Sequence, residues 1–359
     1  MTVLGAGSGG LAAAADLALE GHEVHLFNRS HEPLRPIRDR RGIAIKGALG
    51  DRLVPIAQTS TDFAEAISDA EAIVVVLPAT AHGPVAASLA KHRARTPLIL
   101  DPGHMCGSLH VRRVFAEHRA VCPPIAEFGT LTHVCRSLAP GSVDIYLRAR
   151  SIPLATSPRN RELATFAGRL FSGGVEVSNP IEAWLSDVNM MLHPPGMVLG
   201  SAWIESSRGS FRFYSEGVTP AVAKTMRALD EERCSVGRSF GFELPPLEAT
   251  MAAIGTADAS SAREGDLASA VRLGAANASI QAPSSLDHRY LHEDIAFGLV
   301  PLAALARIAG VTMPVTDALI QLAETITGRS YRQEGLNERK LGIVGCDRDS
   351  LKALIEEAA

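Results

Sequence analysis

The stretch Val3-Leu4-Gly5-Ala6-Gly7-Ser8-Gly9-Gly10 decides the fold. Gly5, Gly7 and Gly10 fit the spacing GxGxxG. A short apolar strand, Thr2-Val3-Leu4, enters the turn, and an Ala- and Leu-rich helix over residues 11–20 leaves it. Gly21 stops that helix, and residues 22–27 read as a second strand. In such a unit each glycine has its own task. The first makes the tight turn, the second lets backbone N–H groups approach a pyrophosphate, and the third lets the helix pack on the strand. The helix N-terminus then faces the phosphates. Gly5, Gly7, Ser8, Gly9 and Gly10 are therefore the expected dinucleotide contacts.

Working outward, strand and helix signals continue to alternate. Residues 62–68 read as a helix. Residues 72–77 form a β-branched run suited to a strand buried on both faces, and residues 97–100 form another strand. Alternation of this kind implies a parallel sheet with right-handed crossovers. After residue 180 strand runs disappear. Helices are expected over residues 180–192, 220–240, 299–309, 314–327 and 350–358, and residues 255–283 carry no clear signal. In Ser178-Asn179-Pro180, Asn179 is the expected N-cap, Pro180 the first helical residue and the segment the hinge. The reading is an α/β chain: a Rossmann-type doubly wound parallel sheet over residues 1–178, then an all-helical domain over residues 179–359. The longest apolar run, residues 295–315, contains Pro301 and Arg307; it reads as a buried helix with a broken first turn, not a membrane span.

Composition narrows the function classes. A 46% hydrophobic fraction with a net charge of −4 excludes a disordered chain. The slightly acidic balance argues against nucleic acid or an anionic membrane as partner. Five scattered cysteines without a CxxC pair suggest neither a disulfide framework nor a zinc site. With Gly5 so near the start, no signal peptide fits, and a cytoplasmic location is expected. Asp101, His104, Cys106 and His110 share one glycine-containing loop region without standard ligand spacing, so no metal is expected.

The end of the second strand reads Phe27-Asn28-Arg29-Ser30. A carboxylate at this point would accept from a ribose 2′-OH. Here Asn28 is neutral, Arg29 suits a 2′-phosphate, and Ser30 can donate to it, which favours NADP(H), with NAD(H) as the alternative. Pro78 and Ala79, after the buried strand, are expected near the adenosine or ribose.

Two distant segments supply acid–base groups. In Asp187-Val188-Asn189-Met190-Met191-Leu192-His193-Pro194, Asn189 and His193 share a helix face, and Pro194 is expected to kink or end the helix at His193. Arg289-Tyr290-Leu291-His292-Glu293-Asp294 gathers a guanidinium, two carboxylates and a second histidine. Hydride transfer to C=O or C=N needs a proton donor near neutral pKa, which His supplies; a carboxylate can orient it, and Arg can hold a substrate carboxylate. On spacing alone, a structural role for His193 remains open.

Taken together, the segments resemble the octopine/nopaline dehydrogenase family of opine dehydrogenases, in nearly the whole chain. The carrying segments are VLGAGSGG at 3–10, PG at 102–103, IAEFGTLTHVCR at 125–136, DVNMMLHP at 187–194, FYSEGVTP at 213–220, HRYLHEDIAFGLVPL at 288–302 and the RQEG…LG tail at 332–342. The resemblance implies a helical second domain like the 6-phosphogluconate dehydrogenase C-terminal domain. It also implies NAD(P)H-dependent reductive condensation of an amino acid with an α-keto acid, both small-molecule partners. It makes His193 the acid/base, Asp294 its partner and Arg289 a substrate-carboxylate contact. Asn189 would orient the histidine or the substrate, Tyr214 and Thr219 would line the pocket, and Glu127 with residues 130–136 would face the nicotinamide. Glu293 is expected to be solvated, and a homodimer suits such helical domains. Asn28-Arg29, Phe128 and His292 depart from the family pattern. Rival readings are a keto-acid or imine reductase that takes one substrate, and a nucleotide-binding regulator without catalysis.

Overall fold

A parallel sheet built from short, fully apolar strands needs cover on both faces, and helices supply it. The computed structural model describes residues 1–356. In chain order the strands are β1 (Thr2–Leu4), β2 (His25–Phe27), β3 (Gly42–Gly47), β4 (Arg52–Pro55), β5 (Gln58–Ser60), β6 (Ile73–Val75), β7 (Leu98–Leu100), β8 (Ile125–Phe128), β9 (His133–Ala139), β10 (Ser142–Arg148), β11 (Ile152–Ser157) and β12 (Gly174–Glu176). Among the described residues the main sheet has eight strands in the order β12-β11-β8-β7-β6-β1-β2-β5. All neighbours are parallel except β8 and β11. Val3 pairs with Leu26 on one side and Val74 on the other, so the glycine turn leaves from the centre of the sheet. This is the Rossmann-type arrangement expected from the first eighty residues.

A second sheet, β4-β3-β10-β9, was not legible in the sequence. The helix Ser8–Leu19 packs against β1 and also against β9 and β10. Ala12, Ala13, Ala14 and Ala15 are consequently all buried, which explains the alanine run. Asp16 in this helix is buried too, and it is paired with Arg148 and, at 2.8 Å, with His133.

Two compact units emerge: residues 1–103 with 107–183, and residues 184–355 with His104–Cys106. The second is helical. Pro220–Ser239, Val300–Ala309 and Pro314–Thr327 form near the expected positions. The helix expected over 350–358 is seen as Arg348–Glu356; Glu357 and Ala358 lie outside the described residues. Residues 255–283 contain two short helices, Ala259–Arg263 and Leu267–Leu273, capped by Asp258 and Asp266.

Two expectations fail in the helical unit. The helix expected over 180–192 is broken into Pro180–Trp184 and Asn189–Leu199. The break is held from a distance: buried Arg233 donates to the Leu185 carbonyl at 2.8 Å while pairing with Asp230 at 2.7 Å. The second helix then passes through Pro194 and Pro195 without ending at His193. Both prolines fall in its second turn, past the N–H groups that lack an intrahelical partner, so the two bonds to the Met190 and Met191 carbonyls are forfeited. Of residues 295–315, the first fifteen form a largely buried helix with an irregular start, Ile295–Leu299 being a π turn and Val300–Ala309 α-helical, while the run breaks at Gly310 before a separate helix begins at Pro314. Pro301 cannot donate to the carbonyl four residues back, and the wider turn absorbs the mismatch.

Candidate active site

In the dinucleotide-type turn the three glycines differ in what surrounds them. Gly5 has φ +116°, and a Cβ there would lie 2.4 Å from the Val76 carbonyl oxygen. A Cβ on Gly10 would lie 1.9 Å from the Gly5 oxygen. Both positions exclude any side chain for internal reasons. At Gly7 a Cβ would meet nothing within 4 Å, so the backbone there faces open space. The helix Ser8–Leu19 begins at Gly7 without a side-chain cap, leaving its first N–H groups for an anion. These features fit a pyrophosphate. Ser8 and Gly9 lie at the helix start; the Ser8 hydroxyl accepts from Ser137 N–H at 2.9 Å, and Gly9 packs against Leu131 and Val76.

At the end of β2, Asn28 is a brace. Its carboxamide oxygen accepts from Ala6 N–H at 3.2 Å and its amide donates to the Ser30 carbonyl at 3.0 Å. Arg29 and Ser30 are exposed, and the Arg29 side chain has no hydrogen bond or ion pair among the described residues. Pro78 is exposed and starts the helix Ala79–Lys91, in which Ala79 is buried.

The helical unit assembles the acid–base groups. His193 is 6% exposed, on the helix Asn189–Leu199. Its Nδ1 lies 2.7 Å from Asp294 Oδ2, and its Nε2 lies 2.7 Å from the Tyr214 hydroxyl. Tyr290 covers one face of the imidazole, with ring centroids 3.6 Å apart and planes 8° from parallel. Gly298 permits this assembly. It sits in the π turn, and a Cβ there would lie 2.7 Å from Met190 Cβ, so only glycine lets that turn close on the His193 helix.

Burial sets the protonation of the pair. It pushes the His193 pKa down, aided by Arg289 and opposed by Asp187 and Glu293. Burial, then Glu293 and Asp187, pushes Asp294 up. Both shifts have one cause: burial disfavours a separated imidazolium–carboxylate ion pair, and the two groups share a proton along the Nδ1–Oδ2 contact.

Arg289 is half-exposed; its Nε and Nη2 meet Glu293 at 2.8 Å and 2.7 Å, and the rest of the fork remains available. Asn189, four residues before His193, is half-buried, and its carboxamide has no partner among the described residues. His193, Asp294, Tyr214, Arg289 and Asn189 thus belong to one neighbourhood of the helical unit. Thr219 does not join them. It is exposed, and its hydroxyl caps the helix Pro220–Ser239 by accepting from Val222 N–H. Glu127 is 1% exposed in β8, where its carboxylate accepts from the Ser108 N–H at 3.0 Å and from the Ser108 hydroxyl, fastening the start of the helix Gly107–Glu117. Within residues 130–136, Thr132 donates twice to buried Asp101 and His133 faces Asp16. These are interior bonds of the first unit. Glu293, expected in solvent, is 3% exposed, because it pairs with Arg289 and approaches His104 Nε2 at 3.4 Å.

Three groups escaped the sequence reading. Tyr290 lay inside a quoted segment, but nothing marked it as the cover on His193. Asp187 begins the same DVNMMLHP segment; its Oδ1 accepts from Asn189 N–H at 3.0 Å and its Oδ2 lies 3.8 Å from His104 Nδ1. His104 itself carried no spacing signal. No cluster with metal-holding geometry occurs among the described residues, and no described helix is long and apolar enough to cross a membrane.

Comparison with known proteins relates the chain to a family. The alpha-helical domain of NAD/NADP octopine/nopaline dehydrogenases matches residues 176–327, and the N-terminus of NAD-dependent glycerol-3-phosphate dehydrogenase matches residues 1–101. An opine dehydrogenase of Arthrobacter sp. (strain 1C) is 32% identical over 99% of this chain and 98% of the relative. Octopine dehydrogenase solved with NADH and L-arginine shares the fold, with a TM-score of 0.74 at 18% identity, covering 99% of this chain and 97% of that one. Yersinopine dehydrogenase solved with NADP+ shares it with a TM-score of 0.72 at 17% identity, with the same coverage.

Proposed function

We infer the chemistry of this site from one premise: the chain belongs to the octopine/nopaline dehydrogenase family. It is an NAD(P)-dependent oxidoreductase acting on CH–NH, joining an amino acid to an α-keto acid by reductive condensation. The observation that carries the assignment of roles is the buried His193–Asp294 pair at 2.7 Å, with Tyr214 on the other ring nitrogen.

In this reading Arg289 holds a substrate carboxylate with the part of its fork not engaged by Glu293. Asn189 orients the bound substrate. His193 accepts a proton from the substrate ammonium, so that the free amine attacks the keto carbon and forms a carbinolamine. The proton returns to the carbinolamine hydroxyl, which leaves as water and yields the protonated imine. Asp294 holds the imidazole orientation throughout and compensates the charge that appears on it. Tyr214 meets Nε2, where the proton enters and leaves the ring. When bound, the dinucleotide supplies the hydride that reduces the C=N carbon. Burial of His193 and the Tyr290 stack keep bulk water from the imidazole face.

The glycine turn and Asn28-Arg29-Ser30 are read as the dinucleotide site, with Pro78 and Ala79 toward the adenosine end. We propose NADPH over NADH because Arg29 is exposed and unpaired beside a neutral Asn28. A cytoplasmic homodimer completes the proposal. The test is oxidation of NADPH and NADH, followed by nicotinamide absorbance. Pyruvate, oxaloacetate and 2-oxoglutarate are offered with and without a panel of amino acids. Turnover that requires the amine and falls at least about 100-fold in His193→Ala is expected. Turnover with keto acid alone would make the protein a simple reductase, and dinucleotide binding unaffected by His193→Ala without turnover would favour a regulator.

A further inference from the structure

The charge around the His193–Asp294 pair is unbalanced until a residue outside the assigned site is counted. Asp187, Glu293 and Asp294 bring three acidic groups into a buried region, and Arg289, paired with Glu293, is a permanent cation beside them. His104 occupies the same region, 6% exposed at its side chain, with Nε2 3.4 Å from Glu293 Oε1 and Nδ1 3.8 Å from Asp187 Oδ2. It arrives on a three-residue excursion, His104–Cys106, that groups with the helical unit. Two of those residues, His104 at φ +57° and Cys106 at φ +61°, are left-handed without being glycine. Such backbone is disfavoured for both residue types and persists where its surroundings enforce it. Each ring nitrogen lies within 4 Å of a carboxylate, the setting in which an imidazolium is favoured over a neutral ring. Burial opposes charge on His104, but Asp187, Glu293 and Asp294 outweigh it and hold its pKa above the ordinary value.

We propose that His104 is a positioning residue of this active site: as an imidazolium between Asp187 and Glu293, it balances their charge and leaves the His193–Asp294 pair with one transferable proton. Without that cation the surplus negative charge makes the pair hold its proton more tightly. The groups facing His104 are Asp187 from the break before the His193 helix, and Glu293 and Asp294 from the start of the π turn. Arg289 and His193 are the partners of the last two, Arg289 of Glu293 and His193 of Asp294. The inference rests on His193 being the proton carrier.

Two measurements decide it. Histidine-ring NMR of the full-length protein at pH 7, with His104 assigned through His104→Gln, is expected to show both His104 nitrogens protonated; a neutral ring overturns the proposal. In His104→Gln, the His193 ring titration and the acid limb of kcat/KM for reductive condensation are both expected to move up by about one pH unit. A rate lowered equally at every pH, with an unmoved His193 titration, overturns it, since a merely structural role has that signature. His104→Asn, which tolerates left-handed backbone better, replaces the glutamine variant if that one does not fold. Wild-type protein without amine-dependent turnover would refute the functional reading, while the two ring measurements still decide the role of His104.

Discussion

Gly298→Ala tests whether close packing of the π turn on the His193 helix sets the catalytic geometry. The added Cβ would lie 2.7 Å from Met190 Cβ. Carbon atoms rest about 3.5–4.0 Å apart, so the two segments must separate by roughly 1 Å. The contact is backbone-proximal on both sides, which leaves no rotamer to absorb it. His193 and Asp294 sit on the same two segments and are 2.7 Å apart. Half of that separation already brings them to the roughly 3.2 Å limit of a good hydrogen bond. Overpacking of this kind costs about 1–3 kcal/mol, which for a unit of this size lowers Tm by about 2–10 °C. Misplacing the acid–base pair by about 1 Å is expected to lower kcat about 100-fold. The assays are thermal unfolding and amine-dependent dinucleotide oxidation, run with the wild-type Met190 and with two substitutions of it. Met190→Ala retains its Cβ and should give no relief, whereas Met190→Gly removes the clashing atom, so Gly298→Ala should cost less there. Unchanged Tm and kcat in Gly298→Ala, or equal losses when it is combined with Met190→Ala and with Met190→Gly, would refute the reasoning.

Other expectations concern separate parts of the molecule. Gly7→Ala should leave Tm within about 1 °C, since its Cβ meets nothing, yet weaken NADPH binding at least about tenfold in a fluorescence titration. Tyr290→Leu should lower kcat/KM by about three- to tenfold, the worth of the lost stack on His193. Because the folded His104 pKa lies above 6.5, its contribution to stability is present below pH 6.5 and is lost as pH rises through the folded value. The Tm difference between wild type and His104→Gln should shrink accordingly toward alkaline pH. Burial pushes the thiols of Cys122 and Cys135 up to about 12, so iodoacetamide at pH 7 should modify them far more slowly in the native than in the unfolded protein, as read by mass spectrometry.

How far the sequence could be read depended on whether the deciding contacts were local. The glycine turn, the strands around it and the helix Pro220–Ser239 announce themselves by residue type within one segment. Sheet β4-β3-β10-β9 does not, because its central pairing joins β3 to β10, almost a hundred residues apart, and many of its side chains face solvent. The break after Trp184 was hidden for a similar reason: apolar residues run through it, and the group that fixes the chain there is Arg233. His193, Asp294 and Arg289 were identified through a resemblance, and the structure brings them together. Two residues named by the same resemblance carried local signals that pointed elsewhere. Thr219 directly precedes a proline and a helical run, the pattern of an N-cap. Glu127 interrupts an apolar strand, and a carboxylate so placed must find donors inside the protein, which Ser108 provides. His104 had no such signal, since its role depends on two carboxylates distant in the chain.

The π turn between Asp294 and Val300 places one more residue in its circuit than an α-helix would. Removing a residue from Ile295–Leu299 would let the segment relax into an ordinary helix continuous with Val300–Ala309. Each residue of an α-helix turns the chain by about 100°, so Asp294 would swing by roughly that angle and face away from His193. Under the proposed mechanism, chain length in these five positions becomes a catalytic parameter in its own right. Point substitutions that keep the count leave the azimuth of the carboxylate in place, whereas a single-codon deletion would disconnect the proposed acid–base pair.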